Sequence, residues 1–254
     1  GVARQYTGSA GKITNCQVVV SLSVATGQDT VPVDLQLYLP ASWAEEEARR
    51  VKARIPDDVL FQPKWELAVD MLQCARAQHV PLGNMVLADS DYGRVGAFRA
   101  AVRSLNLRYG VGVQKQQAVY WHGTTHTAAE LAAKIPMSER RTIYWRQGVQ
   151  GMLCSTFAAR WVRVNNDGPA HAKGEGQWLL AEWRAGEKEP RFYLVTRPRG
   201  TPLESIVFDV KERYRTEQLY EELKGELGFD HFEGRSWPGW NHHASVVLCC
   251  YHLL

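Results

Sequence analysis

The feature that most constrains the fold is the succession of strand and helix patterns in the first half of the chain. Residues 15–25 (NCQVVVSLSVA) are rich in Val and Leu and end before Gly27, which is typical of a strand buried on both faces. Residues 31–39 alternate apolar and polar side chains and end at Pro40, which predicts the next strand, its hairpin partner. Residues 62–79 place apolar side chains at helical spacing, which predicts an amphipathic helix packed on the sheet.

The pattern continues with a charged surface helix over residues 42–54, a short strand over 84–88, a helix over 95–105 and a strand over 109–113. This order of elements is typical of an α/β domain. Asp89 directly follows the apolar run of the third strand, at the strand end where an open α/β sheet usually presents functional groups. It can equally be an aspartate that caps the following turn, and Asp91 is a rival two residues later.

Residues 114–200 have a different pattern, in which aromatic residues and arginines alternate with short runs typical of strands. Five arginines against one acid lie between Glu139 and Arg163, and the loop at 165–176 is polar and rich in turn residues. The aromatic residues fit the core of an antiparallel sheet. The excess positive charge is better explained by a nucleic-acid backbone as partner. The candidate DNA-binding residues here are Arg146, Arg160 and Arg163.

Near the end of the chain a helix from Leu203 leads into a second helix with two separate faces. Its apolar stripe consists of Leu219, Leu223 and Leu227, and its polar face of Arg213, Glu217, Tyr220 and Lys224. A carboxylate between two cations suits metal-dependent phosphoryl transfer on nucleic acid. The simpler interpretation is an ordinary i,i+4 salt bridge between Arg213 and Glu217.

Composition permits these interpretations without selecting among them. The 254 residues are 45 % hydrophobic, enough for one large domain or for a domain with an insertion. The formal charge of +3 permits nucleic-acid binding. Five cysteines lack zinc-ligand spacing, which favours reduced thiols in a cytosolic (cytoplasmic) protein. The sequence has no apolar run long enough to span a membrane and no recognisable secretion leader.

Residues 213–237 (RYRTEQLYEELKGELGFDHFEGRSW) resemble the C-terminal catalytic signature of the DDE transposases of bacterial insertion sequences, most of all the insertion-sequence 701 family. Three further regions agree with this family: GVARQYTG at 1–8 with GKITNCQV at 11–18, LYLP at 37–40 with KWE at 64–66, and VLADSDYG at 86–93. The resemblance covers essentially the whole chain.

The resemblance implies an α/β fold with a ribonuclease-H-like core and a mainly β insertion between the second and third catalytic acids. Residues 1–113 would form the first part of the core and residues 114–200 the insertion. Residues 201–254 would be the helical part of the core that carries the catalytic Glu. The family's first catalytic aspartate would lie in a strand upstream of Gly1 and is absent from these residues. We therefore expect the chain alone to be inactive.

The resemblance also implies a reaction, which is metal-dependent DNA cleavage and strand transfer at insertion-sequence ends. Asp89 and Glu217 would be catalytic and would ligate two Mg²⁺ (or Mn²⁺) ions. Arg213, Lys224 and Arg235 would contact DNA. The partners would be the terminal repeats and the target DNA, with a homodimer on the DNA as one arrangement. Two alternatives stay open: a catalytically dead DNA-binding remnant, and a ribonuclease-H-like nuclease without strand transfer.

Overall fold

A computed structural model of the chain describes residues 2–7, 11–27, 29–148, 151–164 and 175–253. Residues 165–174, most of the loop predicted at 165–176, lie outside the described residues. The chain divides into two compact units: residues 1–82 with 214–254 form the first, and residues 83–213 form the second. Each unit is described by itself.

The strands are β1 (Ala3–Thr7), β2 (Lys12–Cys16), β3 (Val19–Ala25), β4 (Thr30–Leu37), β5 (Met85–Ala88), β6 (Arg108–Val113), β7 (Ala118–Trp121), β8 (Thr124–Thr127), β9 (Arg141–Gly148), β10 (Gly151–Val164), β11 (Glu175–Trp183) and β12 (Arg191–Val195). The α-helices are α1 (Ala41–Ala44), α2 (Glu47–Ala53), α3 (Lys64–Ala77), α4 (Ser90–Gly93), α5 (Gly96–Ser104), α6 (Ala128–Ala133), α7 (Leu203–Lys211), α8 (Tyr214–Gly225) and α9 (Trp237–Leu253).

The first unit contains two antiparallel hairpins, β1–β2 and β3–β4, and the helices α1, α2, α3, α8 and α9. Helix α9 packs on β4, where Trp240 and Ala244 are buried together with Leu35 and Leu37. The predicted hairpin of two strands and the predicted helix over 62–79 are confirmed as β3, β4 and α3, but β3 begins only at Val19 and is mostly half-buried, not buried on both faces as predicted. The predicted helix over 42–54 is wrong as a single element, because the residues form the two short helices α1 and α2.

The second unit is built on one mixed sheet with the strand order β5-β6-β12-β11-β10-β7-β8, in which β9 also pairs with β10. Strands β5 and β6 are parallel, and every other described pairing in this sheet is antiparallel. Helix α7 covers one face of the sheet, where Ile206, Val207 and Val210 are buried against strand residues such as Phe157 and Leu180. The predicted α/β class is therefore confirmed, and a mixed central sheet is consistent with a ribonuclease-H-like fold.

The turn after β5 is held against β6 by a very close backbone approach. A Cβ atom on Gly93, the last residue of α4, would lie 1.8 Å from the carbonyl oxygen of Gly112 in β6. The guanidinium of Arg99, which is only 2 % exposed, donates a hydrogen bond to the carbonyl oxygen of Gly93. Glycine at position 93 therefore lets α4 sit directly on the neighbouring strand, and α4 in turn fixes the end of β5.

We expect Gly93→Ala to lower the free energy of unfolding by at least about 2 kcal/mol, because the added methyl group would displace α4 from β6. Urea denaturation of the two proteins measures the difference. Gly83→Ala is the matched control, since a Cβ there meets no atom within 4 Å. Equal losses for the two variants would contradict the close approach.

Candidate active site

The carboxyl ends of the parallel strands β5 and β6 border a cleft of about 510 Å³ in the second unit. Its walls come from the residues after these two strands, from the start of β12 and from the end of α7. The polar and charged lining residues are Asp89, Ser90, Gln114, Lys115, Gln116, Glu189, Arg191, Tyr193 and Arg213. A second, smaller cavity of about 250 Å³ shares Lys115, Glu189, Pro190 and Phe192 with the cleft.

Asp89 stands at the carboxyl end of β5 and caps the first turn of α4. Its Oδ1 atom accepts hydrogen bonds from the backbone N–H groups of Asp91, at 2.8 Å, and Tyr92, at 3.4 Å. Among the described residues, none donates a hydrogen bond to its Oδ2 atom. The capping role considered from the sequence therefore exists, and it orients the carboxylate so that one oxygen remains open at the cleft.

Asp91, the rival acid, faces a different neighbour. Its carboxylate lies 3.9 Å from the guanidinium of Arg94, and both side chains are largely exposed. Asp91 is not among the residues that line the cleft. Geometry therefore favours Asp89 over Asp91 as the acid that a molecule in the cleft would meet.

Arg213 reaches the same cleft as Asp89, from the turn that follows α7. Sequence analysis predicted it on one helix face with Glu217, and in the structure it directly precedes α8, which begins at Tyr214. Helix α7 is fixed by ion pairs along its length. Arg141 pairs with Glu204 near its start, and Arg197 makes two bonds of 2.6 and 2.7 Å to Asp209.

The last residue of α7 makes the most buried of these ion pairs. The Lys211 ammonium lies 2.5 Å from Oε1 of Glu182, whose side chain is fully buried, and 4.3 Å from the ring of Trp145. Glu182 also accepts hydrogen bonds from Arg184, at 2.9 Å, and from the hydroxyl of Tyr193, at 2.8 Å. Burial lowers the pKa of the Lys211 ammonium to about 8, although Glu182 favours the charged form. This network ties the end of α7 to Tyr193, a wall of the cleft.

Two of the cations that line the cleft are paired with acids of the turn between β11 and β12. The Lys115 ammonium lies 2.6 Å from Oε1 of Glu189. The Arg191 guanidinium donates to both carboxylate oxygens of Glu187, at 2.7 and 3.0 Å. All four side chains are at least one third exposed.

Helix α8 of the first unit carries the other predicted catalytic residue. Leu219 and Leu223 are buried with Val247 and Leu227 packs against them, so the predicted apolar stripe is confirmed. Glu217 lies on the exposed side of the helix. The Lys224 ammonium lies 5.8 Å from the ring of Tyr220, whose hydroxyl is 2.5 Å from Ser21 Oγ.

The remaining predicted DNA-binding arginines lie outside the lining of the cleft. Arg146 is half-buried on β9, and Arg163 is exposed on β10. Arg160, also on β10, is ion-paired with Glu139 and only 21 % of its side chain is exposed. Arg235 is exposed in the segment before α9. Of this group, Arg163 and Arg235 are the exposed residues.

The side chains that line the cleft fit a divalent metal ion only in part. Asp89 offers one hard carboxylate oxygen at the cleft, which suits Mg²⁺ or Mn²⁺. Among the residues that the structure describes, no three or more side chains of His, Cys, Asp or Glu are grouped so that they could hold a metal ion. Asp89 therefore fits as one ligand, and the described residues do not complete a metal site.

Sequence reasoning missed Lys115, Arg191, Tyr193 and the Glu182–Lys211 pair. Lys115 could have been predicted, because it follows the second of two neighbouring strands whose carboxyl ends form the site. Glu182 and Lys211 lie in different elements, 29 residues apart, so nothing local in the sequence pairs them.

Comparison with known proteins gives one family. Residues 1–190 match the family described as DDE superfamily endonuclease. A search of the curated proteins found no match. In the described part of the chain, every helix is too short or too polar to cross a membrane.

We expect the stability of the wild type to increase with pH from about 8 to about 10, relative to that of Lys211→Met. The folded-state pKa of Lys211 is about 8 and its ordinary value is 10.5, so in this window the unfolded chain holds a proton that the folded chain has released. The difference should change by at most about 1.4 kcal/mol per pH unit. Above pH 10.0 the raised pKa of Tyr193 lowers the stability of both proteins, because Tyr193 is present in each.

Urea denaturation across this window measures the difference. Lys188→Met serves as control, since Lys188 is an exposed lysine of the neighbouring turn. If the stability difference between wild type and Lys211→Met does not change with pH, the pKa of Lys211 is not lowered in the folded protein.

Proposed function

Because the chain belongs to the DDE superfamily endonucleases, a family of nuclease and transposase enzymes that act on DNA, we propose that it is the catalytic part of an insertion-sequence transposase. The transposase would be of the insertion-sequence 701 type. It would cut DNA at the ends of the element and join them to target DNA, with two copies acting together on the DNA. The observation that carries this proposal is the cleft at the carboxyl ends of β5 and β6, whose lining contains the carboxylate of Asp89 together with three cations.

The lining of the cleft suits a phosphodiester. Arg213, Arg191 and Lys115 supply the positive charge that would hold a DNA strand and stabilise the charge that develops on the reacting phosphate. Asp89, fixed by the two N–H groups of α4, would present its open oxygen to a metal ion. A bound Mg²⁺ or Mn²⁺ pair would activate the attacking hydroxyl or water and stabilise the leaving oxygen. Glu217 is assigned as a second ligand by its place in the family signature.

A further carboxylate is needed, and β5 offers a place for it. Strand β5 is the edge of the described sheet, and its four residues Met85–Ala88 are only half-buried. Open edges of apolar strands readily accept another strand. We infer that a strand ending in an acid pairs with this edge in the active enzyme. Without it, the two assigned acids would leave the chain able to bind DNA and unable to cut it.

The β-rich segment between the assigned acids is proposed as an insertion into the core. Strands β7–β11 lie within residues 114–200, and they extend the sheet beyond β12 on the side away from β5. The first part of the core would then be residues 1–113, and residues 201–254 its helical end. A long antiparallel extension gives the exposed Arg163 a rigid support.

We expect Asp89→Asn and Glu217→Gln each to abolish Mg²⁺- or Mn²⁺-dependent cleavage by a form that includes the further acid, and to leave DNA binding unchanged. The reason is that each change removes a metal ligand and preserves the shape of the side chain. Cleavage of an end-labelled duplex measures the activity, and filter binding measures the affinity. Asp91→Asn is the matched control and should retain cleavage.

The outcome separates the candidate functions. Joining of a labelled 3′ end to a second DNA identifies a transposase, whereas cleavage without joining identifies a nuclease of the same fold. Undiminished cleavage by Asp89→Asn would refute the assignment of this acid.

We expect Arg163→Ala to reduce the salt dependence of DNA binding, by up to about 0.9 in the slope of log affinity against log salt. Arg163 is exposed on β10 and can release one counter-ion from a phosphate. Arg160→Ala should change the slope less, because its guanidinium is held by Glu139. Equal slopes for wild type and Arg163→Ala would place Arg163 on a surface that DNA does not touch.

A further inference from the structure

We propose that the turn between β11 and β12, residues 184–190, is an acidic latch that occupies the phosphate-binding cations of the cleft until DNA displaces it. Glu187 and Glu189 are then specificity-determining residues, since they disfavour DNA that is held by backbone contacts alone. The inference rests on the proposed function, because it takes the cleft to be the place where DNA binds.

Two acids of one turn neutralise two of the three cations in the lining. Glu189 lies 2.6 Å from the Lys115 ammonium, and Glu187 holds the Arg191 guanidinium in a two-bond pair. A carboxylate that binds a guanidinium through both oxygens uses the same geometry as a phosphate. The two acids therefore occupy the positions that the oxygens of a DNA strand would take.

The turn is built so that Glu187 stays beside Arg191. Gly186 has a φ of 80°, and the N–H of Glu187 donates to the carbonyl oxygen of Arg184 at 3.2 Å. The Arg184 side chain is bound to the buried Glu182 and lies 3.8 Å from Glu187. The base of the turn is thus fixed to the sheet, while the acids at its tip remain exposed.

The latch is weak enough to open. Side-chain exposures are 48 % for Lys115 and 66 % for Glu189, and 51 % for Arg191 and 36 % for Glu187. Ion pairs this exposed contribute little to stability, so the turn can exchange its partners without unfolding the sheet. Because the acids are tethered, they nevertheless compete with phosphate at a high effective concentration.

The competition with the two acids weakens the binding of non-specific DNA more than the binding of DNA that makes additional contacts. Binding without sequence preference comes almost entirely from contacts between cations and phosphates. Such DNA must displace the two acids with little else to compensate. DNA that also makes base contacts or fits the protein's shape can open the latch. The turn therefore increases the difference between specific and non-specific binding.

The test is the double variant Glu187→Gln/Glu189→Gln of the full chain, titrated with a duplex of random sequence at several salt concentrations. We expect the affinity to rise about ten-fold, and the salt slope to steepen by up to about 0.9 for each cation released. Glu45→Gln/Glu47→Gln changes the net charge equally, at exposed acids that do not line the cleft, and should change neither quantity to this extent.

The same two Glu→Gln changes in a variant that lacks the paired cations show whether the gain in affinity depends on those cations. With Lys115→Gln and Arg191→Gln present, the two Glu→Gln changes should no longer raise the affinity. A gain that persists there, or that the control pair reproduces, overturns the latch. If wild type binds DNA and Arg213→Gln weakens it, while Glu187→Gln/Glu189→Gln has no effect, the latch alone fails. If neither wild type nor the double Gln variant binds DNA, both the latch and the proposed function fail.

Discussion

The parallel pairing of β5 with β6 is the constraint on which the candidate site depends. Parallel strands bring their carboxyl ends to the same edge of a sheet, so the residues that follow them must share one place. Here these residues are Asp89 after β5 and Lys115 after β6, and both line the cleft. The glycine at position 93 lets α4 lie on β6, and its N–H groups then fix the carboxylate of Asp89. Backbone geometry therefore brings a carboxylate and a cation to the lining of one cleft.

The opposite wall depends on a buried pair of charges. The desolvation penalty of burying Glu182 and Lys211 offsets much of the attraction between the two charges, so the pair contributes little to the stability of the fold. Its stronger effect is on geometry. Glu182 has hydrogen-bond partners in Arg184, Tyr193 and Lys211, and these belong to three different elements of the second unit. If α7 shifted, Glu182 would lose a partner in a place that water does not reach. The end of α7, and with it Arg213, is thereby restricted to one position.

The sequence predicted those parts of the fold that have local causes. An apolar run identified β3, apolar alternation before Pro40 identified β4, and helical spacing identified α3. Two elements that were missed also had local signals. His122 and Gly123, with φ of 46° and 85°, form the turn of the β7–β8 hairpin. Thr127 and Glu130 form a capping box at the start of α6.

The site was less predictable, because its decisive contacts join distant parts of the chain. Asp89 could be chosen from its position after an apolar run, and the cleft supports that choice. The pairs Lys115–Glu189 and Glu182–Lys211 span 74 and 29 residues, and neither acid has a neighbour in sequence that indicates its partner. For the arginine-rich stretch, the sequence instead overestimated the positive charge available to a partner. Its charges were visible in the sequence, but Arg160 is already neutralised by Glu139.

Neutralisation by neighbouring acids also limits how this cleft can attract DNA. Three cations line it, but Glu187 and Glu189 pair with two of them and Asp89 carries a further negative charge. These acids therefore offset much of the positive charge of the lining, and long-range steering of a DNA strand toward the cleft should be weak. Attraction arises only at close range, where phosphates exchange with the carboxylates of the turn. Under the proposed function, a cleft of this kind makes affinity depend on fit at the reacting phosphate, which is the property that an enzyme acting at one DNA position requires.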